Sequence, residues 1–180
     1  MGKKTHPLHI FQFCPRCGSA HFVEKDDMAK HCLDCHFVYY FNISASGAAF
    51  IVNNKGELMV CKRAKEPAKG TLDLPGGFIG INETGEEGIK REIHEETGIV
   101  IEECTYLFSL PNVYPYAGFE VHTLDAFYKC TVPSELTVQA QDDVEAIYWI
   151  PINELEPARF GLTSIRKAIT RFIAEAQKKE

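Results

Sequence analysis

The sequence lacks any apolar run of about 18 residues, the length that a helix needs to span a bilayer. It has no apolar signal-peptide core after its start, and His6 stands where an N-myristoylation motif requires serine or threonine. It also contains no repeat or low-complexity tract. We therefore expect a soluble, cytoplasmic protein that has no membrane partner.

Positive charge is scarce as well. The 19 Lys and Arg residues are outnumbered by 25 Asp and Glu residues, which gives a formal net charge of -6. Proteins that bind nucleic acids or anionic membranes in general carry a basic field that attracts phosphates. The acidic balance argues against a general binder of this kind.

The chain length of 180 residues allows one ordinary globular domain and a small appendage. The N-terminal segment is rich in Cys and His and has short polar turns, whereas a regular apolar pattern begins near Ser44. We predict a small domain over residues 1–42 and a larger domain over residues 43–180.

The periodicity of the larger segment predicts a mixed α/β fold. Apolar, β-prone runs occupy residues 47–53 and 57–63, and the turn-rich residues between them predict a hairpin. Further strands are predicted at residues 105–110, 122–131 and 146–149. Residues 165–173 have the apolar spacing of a helix with one buried face, which we expect to pack on the sheet.

Residues 84–97 have the boundaries of a helix. Thr84, followed three residues later by Glu87, fits a capping box, in which each side chain accepts a hydrogen bond from a backbone N–H at the helix start. Gly98 is typical of the position where a helix stops. The sequence therefore predicts a well-bounded helix.

The second half of this helix concentrates negative charge. Glu92, Glu95 and Glu96 share one face, where like charges repel, and two of them lie near the negative end of the helix dipole. A solvated acidic face is the plain interpretation of such a pattern. Converging carboxylates are also what a hard cation such as Mg²⁺ or Mn²⁺ requires.

The segment from residue 77 to residue 99 extends this pattern into a longer motif. Its fixed positions are Gly77-x5-Glu83-x7-Arg91-Glu92-Ile93-x-Glu95-Glu96-x-Gly98-Ile99. The motif resembles, at every fixed position, the one that defines Nudix hydrolases. The resemblance implies an α/β/α sandwich with a mixed sheet and the hydrolysis of a nucleoside diphosphate that is linked to another moiety.

The resemblance also implies roles for individual residues. Glu92, Glu95 and Glu96 are expected to hold Mg²⁺ or Mn²⁺, and Arg91 is expected to be an orienting ion-pair partner of Glu83. The Gly76-Gly77 turn allows a backbone carbonyl, that of Gly77, to approach a metal closely.

Other residues are candidates for catalysis and substrate binding. The resemblance implies a carboxylate as general base, which varies within the family: Glu95 is one candidate, and Glu145 is another because residues 145–149 resemble a glutamate-bearing segment of related enzymes. Asp142 and Asp143 are nearby competitors, and a plain acidic loop is the alternative for these two and Glu145. The remaining candidates are Arg63 and Lys65 for contacts with substrate phosphates, and Tyr114 and Tyr116 for stacking on adenine. Surface charge and core packing are the respective alternatives for these four.

Four of the seven cysteines form two Cys-x-x-Cys pairs, Cys14 with Cys17 and Cys32 with Cys35. The odd total without a secretion signal argues against disulfides, and paired thiolates are typical ligands of tetrahedral Zn²⁺. A site with four cysteines leaves no position open for chemistry. We predict a small zinc ribbon whose zinc is structural.

A zinc ribbon before a Nudix motif resembles the NADH pyrophosphatase branch, which also removes NAD-type caps from RNA. That branch carries a segment after the motif to which residues 109–116 are only a loose counterpart, while Pro115 stands close to where ADP-ribose pyrophosphatases have a proline. The expected substrate is a small nucleotide such as NADH or ADP-ribose, with NAD-capped RNA as a further partner and a homodimer as the assembly.

Two other functions remain open from the sequence. One is a nucleoside triphosphate pyrophosphohydrolase that uses the same chemistry. The other is a non-catalytic Nudix ligand sensor or nucleic-acid-associated module. The intact set of motif glutamates argues against a sensor, and the acidic charge argues against a nucleic-acid module.

Overall fold

A computed structural model of the chain describes residues 5–132 and 144–178, without the side chain of Tyr114. The chain divides into two compact units, Met1–Ile43 and Ser44–Glu180. None of the helices within the described residues combines the length and the apolar character that crossing a membrane requires.

The smaller unit contains a three-stranded antiparallel sheet. Its strands are β1 (Phe22–Asp26), β2 (Ala29–Cys32) and β3 (Val38–Tyr40), in that order across the sheet. The buried centre consists of Cys14, Phe22 and Cys32, with Cys35 and Phe37 packed against them. An apolar core of this size is too small to hold a domain together without a further link.

The larger unit contains seven strands, two α-helices and two short 3₁₀ helices among its described residues. In chain order the strands and α-helices are β4 (Ser44–Ile51), β5 (Glu57–Arg63), β6 (Leu72–Asp73), β7 (Gly76–Phe78), α1 (Gly85–Thr97), β8 (Glu103–Tyr116), β9 (Phe119–Thr131), β10 (Val144–Pro151) and α2 (Thr163–Ala176). One sheet has the order β7-β4-β9-β8 and the other has the order β10-β5-β6. The first sheet is mixed, because β4 and β9 are parallel whereas the other pairs are antiparallel.

The helices cover opposite faces of the first sheet. Ala48 and Phe50 of β4 pack in a cluster that includes the buried face of α2. Ala49 and Ile51, which alternate with them, pack in a cluster that includes Ile89 and its neighbours on α1. Because successive side chains of a strand point to opposite faces, β4 contributes to both layers. The predicted α/β/α sandwich is confirmed.

Both predicted helices are confirmed. Thr84 accepts a hydrogen bond from the backbone N–H of Glu87, and the Glu87 carboxylate accepts one from the N–H of Thr84, so the capping box is formed. Gly98 adopts the left-handed conformation at the C-terminus of α1. On α2, the buried side chains include Ile165, Ala168 and Ile169, which pack on the sheet as expected.

The predicted hairpin between β4 and β5 is wrong. The turn itself forms, because Asn53 Oδ1 accepts hydrogen bonds from the backbone N–H groups of Lys55 and Glu57. Beyond a single bridge between Val52 and Leu58, however, the two strands diverge into different sheets. Each strand has other partners, β7 and β9 for β4, and β6 and β10 for β5.

Strand β8 is longer than the predicted run of residues 105–110, since it continues to Tyr116. It includes Pro111 and Pro115, opposite Leu124 and Glu120 of β9. Proline cannot donate to a sheet ladder, and strands therefore tolerate it at sheet edges. Strand β8 is such an edge strand, which explains why two prolines do not end it.

Candidate active site

Two adjacent glycines let α1 approach the edge of the first sheet. Gly76 has a φ of +145°, and a Cβ at this position would lie 2.1 Å from the carbonyl oxygen of Gly47. A Cβ on Gly77 would lie 2.5 Å from Oε2 of Glu92. A side chain at either position would collide with its neighbours. The carboxylate of Glu92 can lie against β7 because Gly77 has no side chain.

Glu92 and Glu96 of α1 both line a cleft of about 530 Å³ that opens beside these glycines. The backbone N–H of Gly76 donates to Oε2 of Glu96 at 2.9 Å. Burial raises the pKa of the Glu92 carboxyl, while Arg91 offsets part of that effect. Two acidic groups thus line a cavity of the size that binds small molecules.

Arg91 connects the acidic residues of this region. Its Nε and Nη2 donate to the two carboxylate oxygens of Glu83 at 2.6 and 2.9 Å. Its Nη1 donates to Glu92 at 2.8 Å and to Glu95 at 3.0 Å. The Arg91 side chain and the N–H of Gly80 lower the pKa of Glu83 to about 2. The ion pair expected between Arg91 and Glu83 is therefore present.

The three helix glutamates do not meet at one point in this arrangement. Glu95 is half exposed, bonds Arg91, and is not among the described residues that line the cleft. Among the described residues, only the four paired cysteines form a set whose ligand atoms all lie within 4.8 Å of one another. The donor set still fits Mg²⁺ or Mn²⁺ chemically, because it consists of carboxylate oxygens beside a backbone turn without side chains.

The floor of the cleft contains polar residues that the sequence did not single out. Asp125 of β9 is 6% exposed and accepts hydrogen bonds from the hydroxyls of Ser46, Thr123 and Ser164. Asn112 of β8, also buried, lies directly opposite Thr123. Their strand assignments follow from periodicity, but no local signal shows that these side chains meet beneath a cleft.

Arg63 and Lys65, predicted to contact phosphates, both line the cleft. Arg63 already donates to Asp73 at 2.5 Å and to the carbonyl of Pro67 at 2.7 Å. Burial raises the pKa of Asp73, and Arg63 offsets part of that effect. Arg63 thus helps to hold the loop between β5 and β6, whereas Lys65 is exposed.

The remaining candidates lie in separate positions. Glu145 of β10 accepts a hydrogen bond from Lys62 at 2.7 Å, and this contact raises the pKa of Lys62. Tyr116 lines the cleft and is 60% exposed. The side chain of Tyr114, and Asp142 and Asp143, lie outside the described residues.

The four paired cysteines of the smaller unit have the geometry of a zinc site. The Sγ atoms of Cys14 and Cys35 are 3.6 Å apart, and those of Cys17 and Cys32 are 3.7 Å apart. Zn–S bonds of about 2.3 Å place sulfurs about 3.8 Å apart at the corners of a tetrahedron. The N–H groups of Cys35 and Asp34 hold the pKa of Cys32 at about 7, which favours the thiolate that zinc binds.

Matching backbone turns present these cysteines. Gly18, at a φ of +76°, donates its N–H to the carbonyl of Cys14 at 2.8 Å. His36, at a φ of +58°, donates in the same way to Cys32 at 3.0 Å. Each residue that follows a Cys-x-x-Cys pair thus adopts the left-handed conformation and closes the turn. The residues present fit a structural zinc ion.

Comparison with known sequences supports both halves of this description. Residues 43–172 match the family model of the NUDIX domain, and residues 11–40 match that of the NADH pyrophosphatase zinc ribbon domain. The chain is 25% identical over 170 residues to the NAD-capped RNA hydrolase NudC of Vibrio parahaemolyticus, covering 94% of this chain and 62% of that protein. It is 31% identical over 110 residues to the protein of the same name from Chromobacterium violaceum, covering 61% of this chain and 41% of that protein.

Solved structures show the same fold. A NUDIX hydrolase from Nitrosomonas europaea superimposes with a TM-score of 0.72 at 21% identity, with 93% of each chain covered. A MutT NUDIX hydrolase from Burkholderia pseudomallei superimposes with a TM-score of 0.62 at 25% identity, covering 72% of this chain and 97% of that one. The chain spans between about two fifths and three fifths of the length of the curated relatives cited above.

Proposed function

The chain belongs to the NUDIX family, and on this premise we propose that it is a metal-dependent pyrophosphatase. The proposed substrate is a nucleoside diphosphate derivative such as NADH or ADP-ribose, which is cut into two phosphate monoesters. The observation that carries the proposal is that Glu92 lies against Gly77 and Glu96 against Gly76, so that two carboxylates of α1 line the cleft.

We propose Glu92, Glu95, Glu96 and the carbonyl of Gly77 as the ligands of Mg²⁺ or Mn²⁺. Bound there, such ions would supply charge neutralisation of the diphosphate and a more acidic water. Arg91 positions the carboxylates of Glu92 and Glu95, because it donates to both of them while Glu83 fixes its guanidinium from the other side.

Glu95 and Glu145 are the two candidates for the general base. Their carboxylates are similarly exposed, and each is paired with a cation, Arg91 at 3.0 Å and Lys62 at 2.7 Å respectively. We favour Glu95, because it lies on the same helix as Glu92 and Glu96.

The names of the relatives support an NAD-type substrate. NADH, NAD and an NAD cap on RNA share one diphosphate between two nucleosides, so the same cleft suits the free dinucleotide and the capped RNA. The net charge of -6 provides little general attraction for an RNA chain. We therefore propose that recognition is directed at the dinucleotide end and not at the body of the RNA.

A substrate panel tests the proposal. The purified chain is incubated with Mg²⁺ or Mn²⁺ and each of NADH, NAD, ADP-ribose, diadenosine polyphosphates, nucleoside triphosphates and NAD-capped RNA. We expect cleavage of NADH or ADP-ribose, and of NAD-capped RNA at a comparable rate. Preferential cleavage of triphosphates would indicate the alternative enzyme, and no cleavage of any compound would refute the enzyme function.

The cellular location and the assembly are proposals that rest on the sequence and the resemblance alone. We propose a cytoplasmic homodimer. Light scattering of the purified protein measures its mass in solution, and a mass close to the 20.3 kDa of one chain would refute the dimer.

A further inference from the structure

Asn112 is a buried amide at the floor of the cleft. The residue is 6% exposed and lines the cleft, and its Oδ1 is buried without a hydrogen-bond partner among the described residues. Burying a polar oxygen without a partner destabilises the folded state, because the oxygen loses its hydrogen bonds to water. A ligand that fills the cleft and carries a donor would restore what Asn112 has lost.

The neighbouring polar groups are already paired with one another. The hydroxyls of Ser46, Thr123 and Ser164 all donate to the carboxylate of Asp125. This arrangement joins β4, β9 and the start of α2 under the cleft. The hydroxyl hydrogens and the carboxylate are thereby used within the protein, whereas the buried amide oxygen of Asn112 has no partner among the described residues.

The position of Asn112 matches that of a ring attached to a bound diphosphate. Gly77 lies in β7 and Asn112 lies in β8, at opposite edges of the sheet with the order β7-β4-β9-β8. Neighbouring strands are about 4.8 Å apart, so at least roughly 14 Å separates the two backbones. This span leaves room for a ribose and a ring. Val121, Leu162 and Ile165 line the cleft with apolar surface that suits the faces of a flat ring.

We propose that Asn112 recognises the nitrogen heterocycle of the substrate through an edge that carries an N–H donor beside an acceptor. This inference rests on the proposed function. A carboxamide presents an acceptor and a donor side by side. The 6-amino group and N1 of adenine are complementary to it, and so is the carboxamide of nicotinamide. Purine without the amino group, and acetylpyridine, lack the donor that Oδ1 needs.

Binding of phosphate monoesters to the full chain tests the inference without turnover. Calorimetry compares AMP with purine riboside 5′-monophosphate, and nicotinamide mononucleotide with its 3-acetylpyridine analogue. In one of the two pairs, we expect the donor-bearing compound to bind about tenfold to a hundredfold more tightly, because a buried acceptor left unpaired is costly. The pair that shows the preference identifies the ring. Asn112→Leu is expected to bring the ratio close to one.

Two controls separate recognition from folding. Asn153→Ala, at an exposed asparagine outside the cleft, should keep the wild-type ratio. Asn112→Leu should unfold at the wild-type temperature or above it, since the change removes an unpaired buried oxygen. Should the leucine variant fail to fold, Asn112→Ala provides the same comparison.

Several results would overturn the inference. They are a wild-type ratio close to one in both pairs, an unchanged ratio in the Asn112 variants, or no binding of any of the four compounds at millimolar concentration. A preference that disappears with Asn112 while the wild type cleaves no dinucleotide would refute the proposed function and leave the recognition role standing. Cleavage of NADH or ADP-ribose by a wild type that binds both members of each pair equally would support the proposed function and refute the recognition role of Asn112.

Discussion

Arg91 donates hydrogen bonds to both carboxylate oxygens of Glu83, from Nε at 2.6 Å and from Nη2 at 2.9 Å. A planar guanidinium makes such a two-pronged contact, whereas the ammonium of lysine does not. The contact leaves Nη1 directed at Glu92 and Glu95. The loop before α1 and the acidic face of α1 are thus joined by one side chain.

Arg91→Lys should therefore lower turnover by about tenfold to a hundredfold, the range typical of residues that orient metal ligands. The charge is retained, so the loss would come from orientation. Steady-state kinetics and circular dichroism measure the two aspects separately. Arg171→Lys is the matched control, because Arg171 pairs with Glu175 at 2.7 Å on the exposed surface of α2. Equal activity of the two variants would contradict the positioning role of Arg91.

The same contact predicts how stability depends on pH. Glu83 has a pKa of about 2 in the folded protein, against an ordinary value of 4.5. A carboxyl whose pKa is lowered on folding stabilises the protein above its unfolded pKa, and this contribution is lost as the pH falls through the folded pKa. The free energy of unfolding of the wild type relative to Glu83→Gln should be constant above about pH 5 and shrink between about pH 4.5 and pH 2. If the difference in free energy of unfolding instead grew as the pH falls, the pKa of Glu83 would be raised and not lowered by folding.

Gly77→Ala tests the contact between β7 and α1. The added methyl group would lie 2.5 Å from Glu92 Oε2, so the carboxylate must move and the affinity for the divalent ion should fall. We expect at least a tenfold higher Mn²⁺ concentration for half-maximal activity. Gly47→Ala is the control, because Gly47 pairs with Gly77 across the strands but its new Cβ would meet only ordinary contacts at 3.4 Å. An equal metal requirement of the two variants would show that the contact between Gly77 and Glu92 does not set metal affinity.

Substitution of the two candidate bases distinguishes them. Glu95→Gln should lower turnover by about 10²- to 10⁴-fold, the usual contribution of a general base, and leave the thermal midpoint nearly unchanged because Glu95 is exposed. Glu145→Gln removes only the surface contact with Lys62, and we expect an effect below about tenfold. The opposite ranking of the two variants would assign the base to Glu145.

The zinc ribbon predicts one zinc ion per chain. Elemental analysis after purification without chelator should find it, and Cys32→Ser should lose it, because four thiolates close the tetrahedral shell. Cys104→Ser, which changes a thiol outside this set, should retain the metal. A wild-type protein that contains no zinc would refute the zinc site.

The features predicted best from the sequence are those set by neighbouring residues. Thr84, Glu87 and Gly98 bound α1 through contacts within one turn, so a local pattern is sufficient to locate the helix. The two Cys-x-x-Cys pairs are equally local, and their spacing indicated a common ligand. The motif positions gave the family, which the match of residues 43–172 confirms.

The features that the sequence missed depend on partners far along the chain. The turn at residues 53–56 has the same local sequence pattern whether the strands on either side share a sheet or enter two different sheets. The sequence of the turn therefore could not predict that β4 and β5 lie in different sheets. The strand predicted at residues 105–110 continues as β8 through Pro111 and Pro115, which the strand tolerates because it lies at the sheet edge. Asn112 and Asp125 line the same cleft because β8 pairs with β9, and this pairing joins residues that are distant in the sequence.

Phosphorus NMR shows whether the chain hydrolyses the diphosphate of a dinucleotide. Phosphorus NMR of NADH and ADP-ribose, mixed with the purified chain and Mg²⁺ or Mn²⁺, distinguishes the diphosphate from its monoester products. We expect the diphosphate signals to disappear and two monoester signals to replace them, only when a divalent ion is present. Unchanged diphosphate signals of both compounds with either metal, in a sample whose fold is verified by circular dichroism, would contradict it.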